Sequence, residues 1–434
     1  METEKKDMKI NVLIFPAGEI NSVELHDALS HQVNIRVFGA SSIERHGSYV
    51  YENYCGTLPL INQDCFIDEF NNLIDKWKID FIFPTHDTIA LFLTENQSQI
   101  HANVIASSCE SAKICRDKKA TYQLFADCSF CPIQYSTLEK LPVFIKPRMS
   151  QGAQGTHLIL RKEDIPKDFD SYEYVITEFL PGKELTVDCL TDDDGKLIAC
   201  LPRERIRLLA GICVAGATLK ASNDIIKIAE TLNERLKFKG LWYFQLKADI
   251  KGMYKLLEVS TRCAGTMCLS RARGVNLPLL SVYIAMGKKV NVFENPYTVQ
   301  MDRTLISRYK INYSYDTVYI DYDDTVVEGN LVCIPVICFL YQCRNKGKRI
   351  VLISRHEENY DDSIEDSLQS HQLSDSLFDE IIKLRLDEKK SDYINKECAI
   401  FIDNAYMERK EVHDLLGIPV FDIEGIEVLM DDRC

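Results

Sequence analysis

The sequence predicts an α/β protein of more than one domain, and three observations carry that prediction. Its 434 residues exceed what one ordinary hydrophobic core organises and suit two or three domains. Over the first hundred residues, short apolar runs alternate with stretches of helical period, the pattern of a parallel sheet covered by helices. A further α/β run begins at Val318 and continues to the C-terminus. Hydrophobic residues make up 46% and charged residues 27%, a globular balance rather than a disordered one.

Residues 9–15 form a short apolar strand, followed by Pro16-Ala17-Gly18 and a helix-like stretch. Residues 33–38 give the next strand, ending at Gly39. Phe66, Phe70, Leu73, Ile74 and Trp77 fall at helical spacing. Phe81-Ile82-Phe83 is then a buried strand that closes on Thr85, His86 and Asp87. Those three side chains either line a pocket beyond the strand's carboxyl end or cap the following helix, and capping is the commoner use. No GxGxxG is present, so the dinucleotide fingerprint is absent. From about 111 to 295 strands and helices mix, with two glycine-bearing turns, and a Pro- and Tyr-containing connector follows over about 293–315. The apolar run 331–341 is too short to span a bilayer and predicts a buried helix. The acidic, serine-rich segment 357–376 reads as a mobile surface segment or small cap, or as a solvated helical surface.

Lysine and arginine total 51 against 65 acids, a formal charge of -14. This disfavours long nucleic acid as the partner and leaves small anions open, since local clusters hold those. The sixteen cysteines are scattered through apolar segments behind a charged start, METEKKDMKI, and predict small buried thiols in a reducing cytoplasm. Cys128 and Cys131 form one CxxC without a second pair at zinc spacing, so packing is the expected role.

Transfer of a phosphoryl group from ATP needs cations on the phosphates, a flexible backbone cover and carboxylates for magnesium. The middle segment supplies these in order. Lys118 opens a helix-like stretch in CRDKKATYQLF, and Lys146 ends the strand VFIKP. SQGAQGT follows, where Gly152 and Gly155 permit close backbone approach. VITEFLPGKELTVD then gives a strand, a turn and a strand bearing Glu184 and Asp188. FQLKADIKGMYKLLEVSTR reads as a hairpin whose Gln245 and Glu258 can meet over one metal.

That order resembles the ATP-grasp superfamily, in its carbamoyl-phosphate-synthetase-like and carboxylate–amine ligase branch. The resemblance implies a Rossmann-like pre-ATP-grasp domain over 1–110 and an ATP-grasp α+β domain over 111–295. By position, Lys118 and Lys146 would bind ATP phosphates under the Gly152–Gly155 loop. Glu178, Phe179 and Leu180 would form the adenine hinge, and Glu184 would meet the ribose. Gln245 and Glu258 match the magnesium ligands, with Ser260 where the family usually has asparagine. Arg262, in EVSTR, would sit by the γ-phosphate or acyl phosphate. Arg203, Arg205 and Arg207 on one strand are either an anion site or a solvated edge, with function favoured for Arg205. The implied reaction is two-step: a substrate carboxylate takes the γ-phosphate, and an amine displaces phosphate to form an amide.

After a linker over 296–314, residues 318–320 form an apolar strand running into Asp321-Tyr322-Asp323-Asp324-Thr325. Two carboxylates at i, i+2 beyond a buried strand suit a nucleophile and a proton donor aimed at one phosphorus. Ser354 ends a later strand, Lys389 and Lys390 offer a cation, and Asp403 ends another strand. The series resembles the haloacid dehalogenase superfamily of phosphatases over 315–434, implying an α/β domain with a small cap. By position, Asp321 would be the nucleophile, Asp323 the general acid and base, and Ser354 with Lys390 (or Lys389) the phosphoryl clamp. Magnesium would be held by Asp321, Asp323 and Asp403, with Asn404 standing where many members carry an acid and Glu408 a candidate replacement.

Together these resemblances imply an ATP-dependent, ADP-forming ligase for small carboxylates and amines, fused to a magnesium phosphatase for a phosphorylated small molecule; the cysteine usage and charged start make the expected location cytoplasmic. Alternatives are an active phosphatase with a regulatory nucleotide-binding module, or a small-molecule kinase fused to a phosphatase. No membrane partner is expected, and a homodimer is the default assembly.

Overall fold

The computed structural model describes residues 9–150, 154–431 and 433, and resolves two compact units that meet between Leu305 and Ile306. The boundary expected near 110 lies inside the first unit, and the expected linker contains the division that is observed.

The first unit opens with β1 (Ile10–Phe15), α1 (Ile20–Leu29), β2 (Ile35–Ala40), β3 (Asn53–Cys55), α2 (Phe66–Trp77), β4 (Phe81–Pro84), α3 (Asp87–Glu95) and β5 (Asn103–Val104). The sheet is parallel, in the order β3-β2-β1-β4-β5. The core of β1, Val12 to Phe15, is buried on both faces, as a central parallel strand between helices requires. Val33, placed in the second strand by the sequence, is 87% exposed; the strand begins at Ile35.

Helices α4 (Cys109–Arg116) and α5 (Lys118–Leu124) lead into a four-stranded sheet. It is built from β6 (Gln134–Tyr135), β7 (Val143–Pro147), β8 (His157–Ile159) and β9 (Tyr174–Glu178), in the order β6-β9-β7-β8. Next come β10 (Glu184–Thr191), β11 (Leu197–Leu209), β12 (Ile212–Thr218), α6 (Asn223–Leu236), β13 (Gly240–Ala248) and β14 (Tyr254–Ser260). Helices α7 (Cys268–Ala272) and α8 (Leu277–Ala285) and strand β15 (Gln300–Asp302) complete the unit. The large antiparallel sheet runs β14-β13-β10-β11-β12-β15, so the segment read as a connector contributes its edge strand. One apolar cluster joins Val12, Ile14 and Leu25 to Leu241, Tyr243, Met267 and Val282.

The second unit contains β16 (Thr317–Ile320), a small hairpin of β17 (Val327–Glu328) and β18 (Leu331–Val332), α9 (Ile334–Asn345) and β19 (Arg349–Ser354). Then follow α10 (His356–Asn359), α11 (Ile364–Ser370), β20 (Glu380–Lys383), β21 (Ala399–Ile402), α12 (Tyr406–Leu416) and β22 (Val420–Phe421). Its sheet is parallel, ordered β20-β19-β16-β21-β22, so the three central strands end side by side. The apolar run at 331–341 begins as hairpin and becomes helix at Ile334. The acidic segment 357–376 is folded, with Ile364, Ser367 and Leu368 of α11 buried.

The described cysteines are free thiols; Cys131, Cys189, Cys213, Cys263 and Cys343 are buried, whereas Cys65, Cys338 and Cys398 are exposed. Among the described residues no helix is long and apolar enough to cross a membrane.

Candidate functional site

The sheets of the first unit bound two adjoining cavities. The smaller, about 280 Å³, is lined by Lys118, Lys146, Glu178, Phe179, Leu180 and Glu184 among others. Lys146 lies near the end of β7 and is 5% exposed. Its ammonium donates to the Leu257 carbonyl at 2.9 Å and stands 5.0 Å above the Tyr122 ring. Burial first, and the neighbouring Lys118 second, pull its pKa down to about 7. Lys118 begins α5, donates to the Ser150 carbonyl and hydroxyl oxygens at 3.2 Å each, and is likewise lowered by burial. Two cations buried together make a strong anion site.

Glu178 accepts from the Ile133 N–H at 2.8 Å through its side chain, which fixes the segment ahead of the turn. Gly182 lies so close to β13 that a β-carbon there would stand 2.8 Å from the Ala248 carbonyl oxygen, so the turn requires glycine. Glu184 is held by Arg205 Nη1 at 2.9 Å and Lys247 Nζ at 3.3 Å, and stays on the cavity wall. Gly155 has φ +68° and sits beside Pro147 and Tyr174; Gly152, its expected partner, lies outside the described residues.

The larger cavity, about 590 Å³, shares Arg205, Gly211, Gln245 and Glu258 with the first. Its wall carries Arg45, Arg116, Arg203 and Arg262 in addition. Gln245 and Glu258 are direct cross-strand neighbours on β13 and β14. A single carboxylate beside an amide oxygen fits magnesium arriving with nucleotide phosphates, which supply the remaining oxygens. Among the described residues no three His, Cys, Asp or Glu side chains converge as an all-protein metal cage.

Ser260 is not a lining residue of either cavity. Its hydroxyl donates to Asp87 Oδ1 at 2.5 Å, and Arg262 Nη2 donates to Asp87 Oδ2 at 2.9 Å. Burial alone would raise the Asp87 pKa, but Arg262 and Ser260 outweigh it and hold the carboxyl ionised. The expected metal position of Ser260 is therefore corrected: its oxygen is committed to a carboxylate from the first sheet. His86 caps α3, its Nδ1 accepting from the Thr88 N–H at 3.2 Å, and it also lines the larger cavity, whereas Asp87 lines neither cavity. Both open readings of that segment thus occur, on the same residue.

The arginine strand is also corrected. β11 is an inner strand between β10 and β12, so Arg203 is 1% exposed and pairs with Asp188 while donating to Thr266 Oγ1 at 2.9 Å. Arg205 faces both cavities, and exposed Arg207 pairs with Asp302 at 2.7 Å. Sequence reasoning passed over Arg116, which donates to Thr88 Oγ1 and the Ser150 carbonyl at 3.2 Å each. Its place two residues before Lys118, at the end of α4, was the available signal.

In the second unit Asp321, Asp323, Ser354 and Asp403 gather at the carboxyl ends of β16, β19 and β21. Buried Lys390 donates to Asp321 Oδ1 and to Asp403 Oδ2, both at 2.6 Å, while Lys389 is exposed. Burial foremost, with the Asp403 charge adding, pushes the Asp321 pKa up to about 7 against the pull of Lys390. Asp403 is likewise raised by burial. Two carboxylates converging on one cation form a donor set that a hard divalent ion can share. Asp323 differs: its Oδ2 accepts from Ser354 Oγ at 3.2 Å and its Oδ1 from His356 Nδ1 at 2.7 Å. Asp323, expected among the metal ligands, thus has both carboxylate oxygens hydrogen-bonded by side chains and takes no part in the Lys390 bridge. Glu408 does not replace the missing acid, because Arg355 Nη1 holds it at 3.0 Å.

Residues 170–306 match the family described as ATP-grasp in the biosynthetic pathway with Ter operon. The carbamoyl phosphate synthase large chain of Thermoanaerobacter pseudethanolicus is 24% identical over 245 residues, covering 48% of this chain and 23% of its own length. The chain thus spans about a quarter of that relative. Among solved structures, N5-carboxyaminoimidazole synthetase from Staphylococcus aureus complexed with ADP aligns with a TM-score of 0.57 and 14% identity, covering 69% of this chain and 84% of that one. The biotin carboxylase–β-γ-ATP complex from Campylobacter jejuni aligns at 0.54 and 14%, covering 66% and 73%. These likenesses carry no information about a phosphatase. The first unit has an ATP-grasp-like α/β fold with carbamoyl-phosphate-synthase-like sequence.

Proposed function

We propose that the first unit is an ATP-dependent, ADP-forming carboxylate–amine ligase and that the second is a magnesium-dependent phosphatase acting through a phosphoaspartate. The observation that carries the ligase reading is the shared wall: Arg205, Gln245 and Glu258 belong to both cavities. A nucleotide in the smaller cavity, with its triphosphate on Lys118 and Lys146, would present its γ-phosphate at that wall. A carboxylate in the arginine-rich cavity would then lie beyond it, oriented by Arg205 and Arg262. Glu178 to Leu180 would meet adenine and Glu184 the ribose.

Gln245 and Glu258 would hold magnesium, whose chemistry is to neutralise charge on the phosphates being transferred. The chain's own part is positional: the lysines and arginines spread developing charge and the two cavities align donor and acceptor. The bonds exchanged are the γ-phosphorus–oxygen bond of ATP for an acyl phosphate, then the acyl–oxygen bond for an amide, with phosphate leaving. The names of the similar proteins, carbamoyl phosphate synthase and N5-carboxyaminoimidazole synthetase, accord with nitrogen–carbon bond formation.

The phosphatase reading rests on Lys390 bridging Asp321 and Asp403 while Asp323 stands free of that bridge. The test is ADP and phosphate release from magnesium-ATP with and without pooled carboxylates and amines, using wild type, Glu258→Gln and Asp321→Asn. Pool-dependent ADP that vanishes in Glu258→Gln, with an amide in the products, is expected. A stable phosphorylated product without amide would replace ligation by kinase activity. ATP binding without pool-dependent ADP would leave a regulatory module. Hydrolysis of phosphate esters unaltered by Asp321→Asn would refute the second half.

A further inference from the structure

We infer that His356 is a positioning residue for Asp323, fixing which carboxylate oxygen of Asp323 exchanges the proton; this rests on the phosphoaspartate reading of the second unit. The imidazole is buried, at 4% exposure, and its Nδ1 lies 2.7 Å from Asp323 Oδ1. A carboxylate only accepts, so Nδ1 carries the hydrogen. The ring is clamped between Tyr360, stacked at 4.8 Å, and Tyr322, edge-on at 5.3 Å. Tyr322 is itself fixed by a 3.0 Å bond between its hydroxyl and Ser367 Oγ. His356 Nε2 makes no hydrogen bond, and Asp362 Oδ1 stands 3.4 Å from it.

The acidic segment after β19 thereby gains a task. It supplies Tyr360 and Ser367, which with His356 just ahead of it lock one oxygen of Asp323 in place. Oδ1 is committed to the imidazole, whereas among the described residues Oδ2 accepts only from the Ser354 hydroxyl, at a longer 3.2 Å. Ser354 turning to a phosphoryl oxygen would free Oδ2. In the first half-reaction Asp321 bonds to phosphorus, the ester oxygen leaves, and it takes the proton from Asp323 Oδ2. In the second, water attacks phosphorus, its proton returns to Oδ2, and Asp321 is released with orthophosphate. An Asp323 without its imidazole tether would rotate about χ2 and present the wrong oxygen for part of its time.

The test exploits leaving-group demand. p-Nitrophenolate departs with little proton assistance, whereas an alkoxide does not depart unprotonated. kcat/KM covers only the steps through departure of the leaving group, so it isolates the first proton transfer. The full chain with magnesium is assayed on p-nitrophenyl phosphate and glycerol 3-phosphate, with Asp321→Asn as control and thermal melting of each variant. His356→Ala is expected to lower kcat/KM for the alkyl ester roughly ten- to hundredfold and for the aryl ester by less than about threefold. His356→Asn, whose amide can donate from the Nδ1 position, is expected to recover most of the alkyl activity. Equal losses on both esters, or none, with Asp321-dependent hydrolysis intact, would overturn the role of His356 alone. A His356→Asn as damaged as His356→Ala at equal melting temperature would overturn it too. Absence of Asp321-dependent hydrolysis of either ester would remove the phosphoaspartate reading, and this inference with it.

Discussion

Lys146 offers the sharpest test of the nucleotide pocket, because burial holds its pKa at about 7 in the free protein. A triphosphate beside it restores the charged form, so the bound-state pKa exceeds the free-state value. Binding must then take up protons above pH 7, and affinity must fall as pH rises through the free-state pKa. At about pH 8 a group of pKa about 7 is roughly one-tenth protonated, so ATP binding should draw in about 0.9 proton from this lysine. At about pH 6 the uptake should shrink to about 0.1 proton. Lys118, also lowered by burial, shifts the total in the same direction. The assay is titration calorimetry of magnesium-ATP in two buffers of different ionisation enthalpy, for wild type and Lys146→Met. Buffer-independent heats near pH 8, or an uptake unchanged in Lys146→Met, would refute the argument.

Three further outcomes follow from the packing. Arg203→Met leaves the buried Asp188 carboxylate with Ser270 as its remaining partner, and should cost about 3–5 kcal/mol in chemical denaturation. Adding Asp188→Leu should return most of that loss. Lys390→Met strands two buried carboxylates whose folded pKa values then lie well above their unfolded ones. Its stability should be greatest in acid and fall as pH rises from about 4 through 7, read as a falling melting temperature in metal-free buffer. Gly182→Ala places a methyl against the Ala248 carbonyl and should displace the adjoining 178–180 segment. Nucleotide affinity should drop several-fold with little change in the second unit's melting transition.

The alternation of apolar strands and amphipathic helices made both parallel sheets legible, because a strand buried on two faces leaves an unbroken hydrophobic run. The order of Lys118, Lys146, Gln245 and Glu258 was legible for a similar reason: each is fixed by its own strand or helix end. What sequence could not convey was pairing across long separations. Ser260 meets Asp87 from 173 positions away, and no local pattern marks that bond. Arg203 looked like one of three equivalent cations on a strand, and only its buried pairing with Asp188, against the exposed pairing of Arg207 with Asp302, separates the two. His356 was invisible because a lone histidine in an acidic stretch carries no periodicity, whereas the two tyrosines that clamp it come from different segments.

The apolar cluster that joins the opening sheet to the large antiparallel one bears on how this chain can be taken apart. Val12 and Leu25 share their packing with Leu241 and Met267, and Glu24 pairs with Arg271 at 3.1 Å. Dissecting the chain near residue 110 would therefore split one cooperative folding unit and expose half a core on each fragment. Fragments cut there should aggregate singly and recover nucleotide binding only on being mixed, whereas a cut near residue 305 should release two pieces that each purify alone. Lesions in the first hundred residues would then mimic lesions of the nucleotide pocket in any genetic screen, without one of them touching ATP.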